Sequence, residues 1–135
     1  MPDDPLHDAP ATAEVSLAAG GNLVAIAYTW SHPQDGPQEG LLAVGPSAEP
    51  GRAVALWGDS WHQRAESRVL VGTSDAGLMT VSCEYAGEWR WQITVDSTNA
   101  DSLKLRMDNV VPASAATQAF GPGPYPAMIT DLRRS

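Results

Sequence analysis

The sequence predicts an all-β protein, a single antiparallel up-and-down β-barrel of about nine strands. Three observations lead there. Apolar runs are short, and turn signals recur about every ten residues. Several runs alternate apolar and polar residues with the period of two that a half-buried strand requires. No window of about twelve residues free of Gly and Pro carries the 3.6-residue period of an amphipathic helix. A meander of this length leaves exposed strand edges unless it closes on itself, and closure makes it a barrel.

The elements follow in order. Residues 1–11, rich in Pro and Asp, read as a flexible N-terminal tail, and 12–135 as the single β-barrel domain. Strands at 15–19 and 23–30 flank Gly20-Gly21-Asn22, a strong hairpin connection. The turn Pro33-Gln34-Asp35-Gly36-Pro37 leads to a strand at 40–44, and a second Pro/Gly turn over 45–51 precedes a strand at 53–57. Further strands fall at 68–72, 78–85, 89–95, 102–107 and 127–133. Between 111 and 126 the run Phe120-Gly121-Pro122-Gly123-Pro124-Tyr125-Pro126 loses backbone donors and excludes a regular strand. It reads as a long surface crossing, with a lid laying Phe120 or Tyr125 over the barrel mouth as the functional alternative.

Alternation assigns an inside and an outside. Trp89, Trp91, Ile93 and Val95 face the interior, opposite Arg90, Gln92 and Thr94. Leu103, Leu105 and Met107 oppose Lys104, Arg106 and Asp108; Met79, Val81, Cys83 and Tyr85 oppose Thr80, Ser82 and Glu84. The strand at 23–30 is apolar on both faces, with Tyr28 and Trp30 placed inward.

Composition narrows the function. With a formal charge of −8 and only eight Lys and Arg, all scattered, the chain lacks the basic surface that nucleic acid or an anionic membrane demands. Neither partner is expected, and the absence of a signal peptide or long apolar span suggests a cytoplasmic protein. Cys83 is alone, which precludes an internal disulfide and suits a buried small hydrophobe. His7, His32 and His62 are far apart in sequence, and no ligand motif accompanies them, so no metal and no cofactor is expected.

Five Trp and three Tyr in so short a chain indicate either a core of large residues or an aromatic-walled cavity. Tyr28, Trp30, Trp57, Tyr85, Trp89, Trp91 and Met107 are the expected walls, with Trp61 and Asn109 toward one end. The densest chemistry lies in Trp57-Gly58-Asp59-Ser60-Trp61-His62. His62 titrates near neutrality and is the candidate acid/base, with Asp59 as its partner. Strand alternation puts Asp59 with Trp57 and Trp61, opposite Ser60 and His62, so an Asp59–His62 pair needs a bend after Trp61. The plain alternative has His62 capping the strand end and Asp59 held by an arginine or by turn amides. Ser60 lacks the Gly-x-Ser-x-Gly elbow of a nucleophile.

The order of these pieces resembles a family of small bacterial calycin-like barrels, lipocalin relatives catalogued mainly as a domain of unknown function. The shared pieces are Tyr28-Thr29-Trp30, Gly40-Leu41-Leu42, the Trp57–His62 run, Trp89-Arg90-Trp91, Met107-Asp108-Asn109-Val110 and Leu132-Arg133-Arg134, covering about residues 13 to 134. The resemblance implies a barrel whose relatives include carriers of hydrophobic ligands, haem-binding proteins and cyclases of natural-product pathways. The chain departs from the haem-binding branch, lacking an early Gly-x-Trp motif and any histidine after His62.

Three functions are expected from this. The first is binding of a small hydrophobic or aromatic molecule inside the Trp/Tyr-lined cavity. The second is a cofactor-independent cyclase or isomerase using Asp59 and His62 in the same cavity. The third is a structural or interaction barrel with a filled core, as a homodimer.

Overall fold

The computed structural model describes residues 9–61, 66–116 and 121–133. Its strands are β1 (Thr12–Ala18), β2 (Leu23–His32), β3 (Gly36–Pro46), β4 (Arg52–Asp59), β5 (Arg68–Asp75), β6 (Leu78–Ala86), β7 (Trp89–Asp96), β8 (Ser102–Val111) and β9 (Gly123–Arg133). They stand in sequence order in one antiparallel up-and-down sheet, the fold class the sequence predicts. Two 3-10 turns, Ala19–Gly21 and Ala113–Ala115, interrupt the strands. Among the described residues no helix is long and apolar enough to cross a membrane.

The turns follow from the residues that can adopt them. Ala76 and Gly77 both have positive φ (48° and 89°), the twist a two-residue hairpin needs between β5 and β6. Between β2 and β3 the hairpin is tighter than the Pro33–Pro37 turn suggests, because β3 starts at Gly36, paired with His32. Nδ1 of His32 accepts the N–H groups of Gln34 and Asp35, 3.2 Å each, which closes the loop. Pro37 is tolerated in β3 because the β3–β4 ladder begins only at Gly40, so its missing donor leaves no gap there.

β9 corrects the expected crossing. Gly123, Pro124, Tyr125 and Pro126 belong to a strand, paired with Val111, Val110, Asn109 and Asp108. Pro124 and Pro126 are two residues apart, so both turn their donor-less nitrogens to the side away from β8. Proline excludes a strand only where the N–H must enter a ladder. Phe120 lies outside the described residues; Tyr125 is within the strand and donates its phenol hydrogen to the Gly121 carbonyl at 2.6 Å.

The strands group into two compact halves, residues 6–71 and 72–135. In the first, Ile26, Tyr28, Trp30, Leu42, Ala55, Trp57 and Leu70 are buried. In the second, Met79, Val81, Trp91, Ile93, Val95, Leu105, Met107, Val111 and Met128 are buried, as alternation predicts for most of them. Two assignments fail there. Tyr85 is 41% exposed although the sequence places it inward, because the pairing of β6 with β7 shifts register between Glu84 and Ala86. Asp108 is buried although the sequence places it outward, beside a shift in the β8–β9 register at Met107/Asp108.

Gly72 of β5 lies close against the backbone of β6. A Cβ there would overlap the backbone carbonyl of Thr80, an atom that cannot swing aside. Gly72→Ala is expected to cost about 1–3 kcal/mol, a fall of roughly 3–10 °C in Tm by thermal denaturation. Gly121→Ala, which meets open space, is the matched control and should stay within about 0.5 kcal/mol.

Candidate functional site

The first half builds its polar centre from one row across three strands. The registers Tyr28↔Gly40 and Gly40↔Asp59 put a phenol, a bare backbone and a carboxylate side by side on the buried face. A Cβ on Gly40 would fall on the Tyr28 hydroxyl, so the glycine leaves the gap through which the phenol reaches. The Tyr28 Oη–H donates to Asp59 Oδ2 at 2.5 Å, and Trp57 Nε1–H donates to Tyr28 Oη at 2.8 Å. Trp61 N–H donates to Asp59 Oδ1 at 2.8 Å. The carboxylate is 7% exposed, and both of its oxygens accept hydrogen bonds.

This geometry fixes protonation. Burial first, and then the Asp59 charge and its hydrogen bond, push the Tyr28 phenol far above the ordinary tyrosine range; the Trp57 N–H opposes them. The phenol is held as a neutral donor, and Asp59 as its acceptor. The short O–H···O distance is that of a charge-assisted bond.

The turn-amide alternative for Asp59 is what the structure shows: the carboxylate caps the turn into Trp61 as an Asx turn does. Trp61 then packs edge-on to Trp30, ring centres 5.4 Å apart at 86°, and stacks on His32 at 4.7 Å and 27°. Trp61 Nε1–H donates to Asp35 Oδ2 at 2.6 Å, and His32 Nδ1 lies 3.1 Å from the same oxygen. Ser60 Oγ donates to Gln38 Oε1 at 2.7 Å and accepts the Glu39 N–H at 3.0 Å, a structural role for that hydroxyl. His62 lies outside the described residues.

The structure thus joins Tyr28, Trp57, Asp59, Trp61 and Trp30 in one half. His32 and Asp35 complete this group, and the sequence reading missed them. The signal available was an imidazole three residues before a turn aspartate, a spacing that lets the ring accept turn amides.

The expected residues of the second half form a separate set. Tyr85 Oη–H donates to Asn109 Oδ1 at 2.6 Å, and burial raises the Tyr85 phenol against the opposing Asn109 contact. Trp91, paired with Asn109 and Cys83, and Met107 are buried, whereas Trp89 is half-buried. Beside them lies an ion pair that alternation concealed. Arg106 Nε donates to both Asp108 oxygens at 2.9 Å and Nη2 reaches Oδ1 at 2.8 Å, which raises the arginine above its ordinary value. Two charges two residues apart on a polar face look solvated in sequence, yet Asp108 is 2% exposed.

The first half also carries an open depression of about 700 Å³. Its lining includes Ala27, Gly40 and Gly58, positions with little or no side chain, together with Glu14, Thr29, Glu39, Leu41 and Ser60. Of the expected walls Tyr28 lines it, as does Asp59, the candidate partner of His62. Among the described residues no cluster of three or more His, Cys, Asp or Glu is placed to hold a metal ion. Comparison with protein-family models and with curated proteins finds no match to the chain.

The raised Tyr28 phenol has a pH consequence with a definite sign. Its folded value lies above the unfolded 10.0, so its stabilisation is complete below that pH and is lost as pH rises beyond it. The protein is expected to lose stability steeply above about pH 10, with one of its three tyrosines ionising only on unfolding. Tyr28→Phe should cost about 1–3 kcal/mol at neutral pH and flatten the alkaline limb, read by denaturant unfolding across pH with phenolate absorbance. An unchanged alkaline limb in the variant would refute this role for Tyr28.

Proposed function

We propose that the protein binds a small hydrophobic or aromatic molecule and acts in the cytoplasm, on the same plan as the calycin-like barrels its sequence resembles. One observation carries the reading: the aromatic group at the ends of β2 and β4 is held in place by contacts among its own side chains. Trp61 is 38% exposed, yet its ring is held by Trp30, His32 and Asp35. A fixed aromatic face binds flat molecules with little loss of side-chain freedom. The acidic composition sets a preference for neutral or cationic ligands over anions.

Engagement of Asp59 supports binding over proton transfer. A general base must reach its substrate, and Asp59 is 7% exposed with each oxygen already accepting a bond, one from Tyr28 and one from Trp61. The cyclase or isomerase alternative therefore rests on His62.

The reading is tested by titrating small aromatic and apolar compounds against tryptophan fluorescence. Saturable binding is expected, weakened roughly tenfold by Trp61→Ala, the loss of about 1.4 kcal/mol of stacking and burial. A library that leaves the emission unchanged, or a Trp61→Ala variant that binds as well as the parent, would sink it.

A further inference from the structure

The face of the first half opposite its aromatic row is apolar where a solvated antiparallel sheet should be polar. Leu23, Leu41, Val54 and Leu56 are 43%, 48%, 38% and 52% exposed on it. The registers arrange this face in rows. Glu14, Ala27, Leu41 and Gly58 form one row, and Ser16, Ala25, Ala43 and Leu56 form the next. Beyond them Gly45 pairs with Val54, and Leu23 lies over Gly45, so Leu23 and Val54 make a ridge. One row therefore holds two hollows, at Ala27 and at Gly58 on either side of Leu41, within the open depression already described, and another holds a ridge two rows away. Charge is segregated too: Glu14 lies in the row of the hollows and Glu39 beyond it, whereas Arg52 lies at the opposite end, past Val54.

We propose that this face is the interface of a two-fold homodimer, with the ridge formed by Leu23 and Val54 of each copy seated in the hollows at Ala27 and Gly58 of the other. A two-fold axis in the plane of the face has two simple settings. With the axis along the strands, each row meets itself, Leu41 faces Leu41 and Glu39 faces Glu39 across the contact. With the axis across the strands, through the Ala25–Ala43–Leu56 row, each ridge meets a hollow and Glu39 of one copy approaches Arg52 of the other. Large side chains facing small ones and unlike charges facing each other select the second setting. Across β1 to β5 the face measures about 25 Å by 27 Å, close to the roughly 800 Å² per partner of a standard interface. Val69 and Val71 of β5, 63% and 49% exposed, extend its apolar surface.

Sedimentation velocity over a concentration series tests this, with circular dichroism confirming that each variant is folded. Dimerisation is expected. Gly58→Val fills its hollow without crowding the fold, since the nearest atom to a Cβ there is Ser67 Oγ at 3.9 Å, and should weaken association at least about tenfold. Leu56→Glu should do the same. Arg52→Glu and Glu39→Arg should each weaken the dimer, and combining them should restore it to within about threefold of the parent. A monomer across the whole series overturns the proposal, as do a dimer indifferent to Gly58→Val, a charge swap that fails to restore, or a monomer that binds phospholipid vesicles through this face.

Discussion

The first half of the molecule depends on keeping one carboxylate buried. Asp59 sits among indoles and a phenol, where an unpaired charge would cost several kcal/mol. The cost is met from three directions: Tyr28 on β2, the Trp61 amide just past β4, and Trp57 acting through the Tyr28 oxygen. All of it requires that β3 contribute no side chain at Gly40. A one-residue slip of β2 against β3 would turn Tyr28 to the other face and strand the acid. The hydrogen-bonded row is therefore also a register lock, and register decides where Trp30, Trp57 and the outward leucines stand.

That lock explains the division of labour within Trp57–His62. Trp57 and Asp59 are committed to the interior, Ser60 ties β4 to β3, and Trp61 is turned back by the Asx bond to lie against Trp30 and His32. A stretch that resembles a catalytic hexapeptide is, over its first five residues, an arrangement for ending a strand while keeping one indole at the surface.

What the sequence made legible follows the physics of period two. The inward sides of β7 and β8 up to Met107 follow from alternation, because one face of each strand must be apolar, whereas in β2, apolar on both faces, alternation alone does not choose the side of Tyr28 and Trp30. Alternation fails where register shifts, and Tyr85 and Asp108 both lie beside such shifts. It also cannot see pairing between strands. Nothing local in Gly40 says that Tyr28 will lie over it, and nothing in Arg106 or Asp108 says that their pair will be covered. The prolines of β9 do not break the strand, since which side of a strand lacks a neighbour is a property of the sheet rather than of the residue.

The two prolines of β9 also bear on how copies of the chain can meet. Strand-to-strand addition, the usual route to fibrils, requires an unbroken series of backbone donors along the approaching side. Pro124 and Pro126 interrupt that series within three residues of each other, on the side that β8 does not occupy. This side is thereby a poor template for a foreign strand. Polymerisation through backbone pairing is discouraged there, whereas association through side-chain surfaces can stop at a finite size.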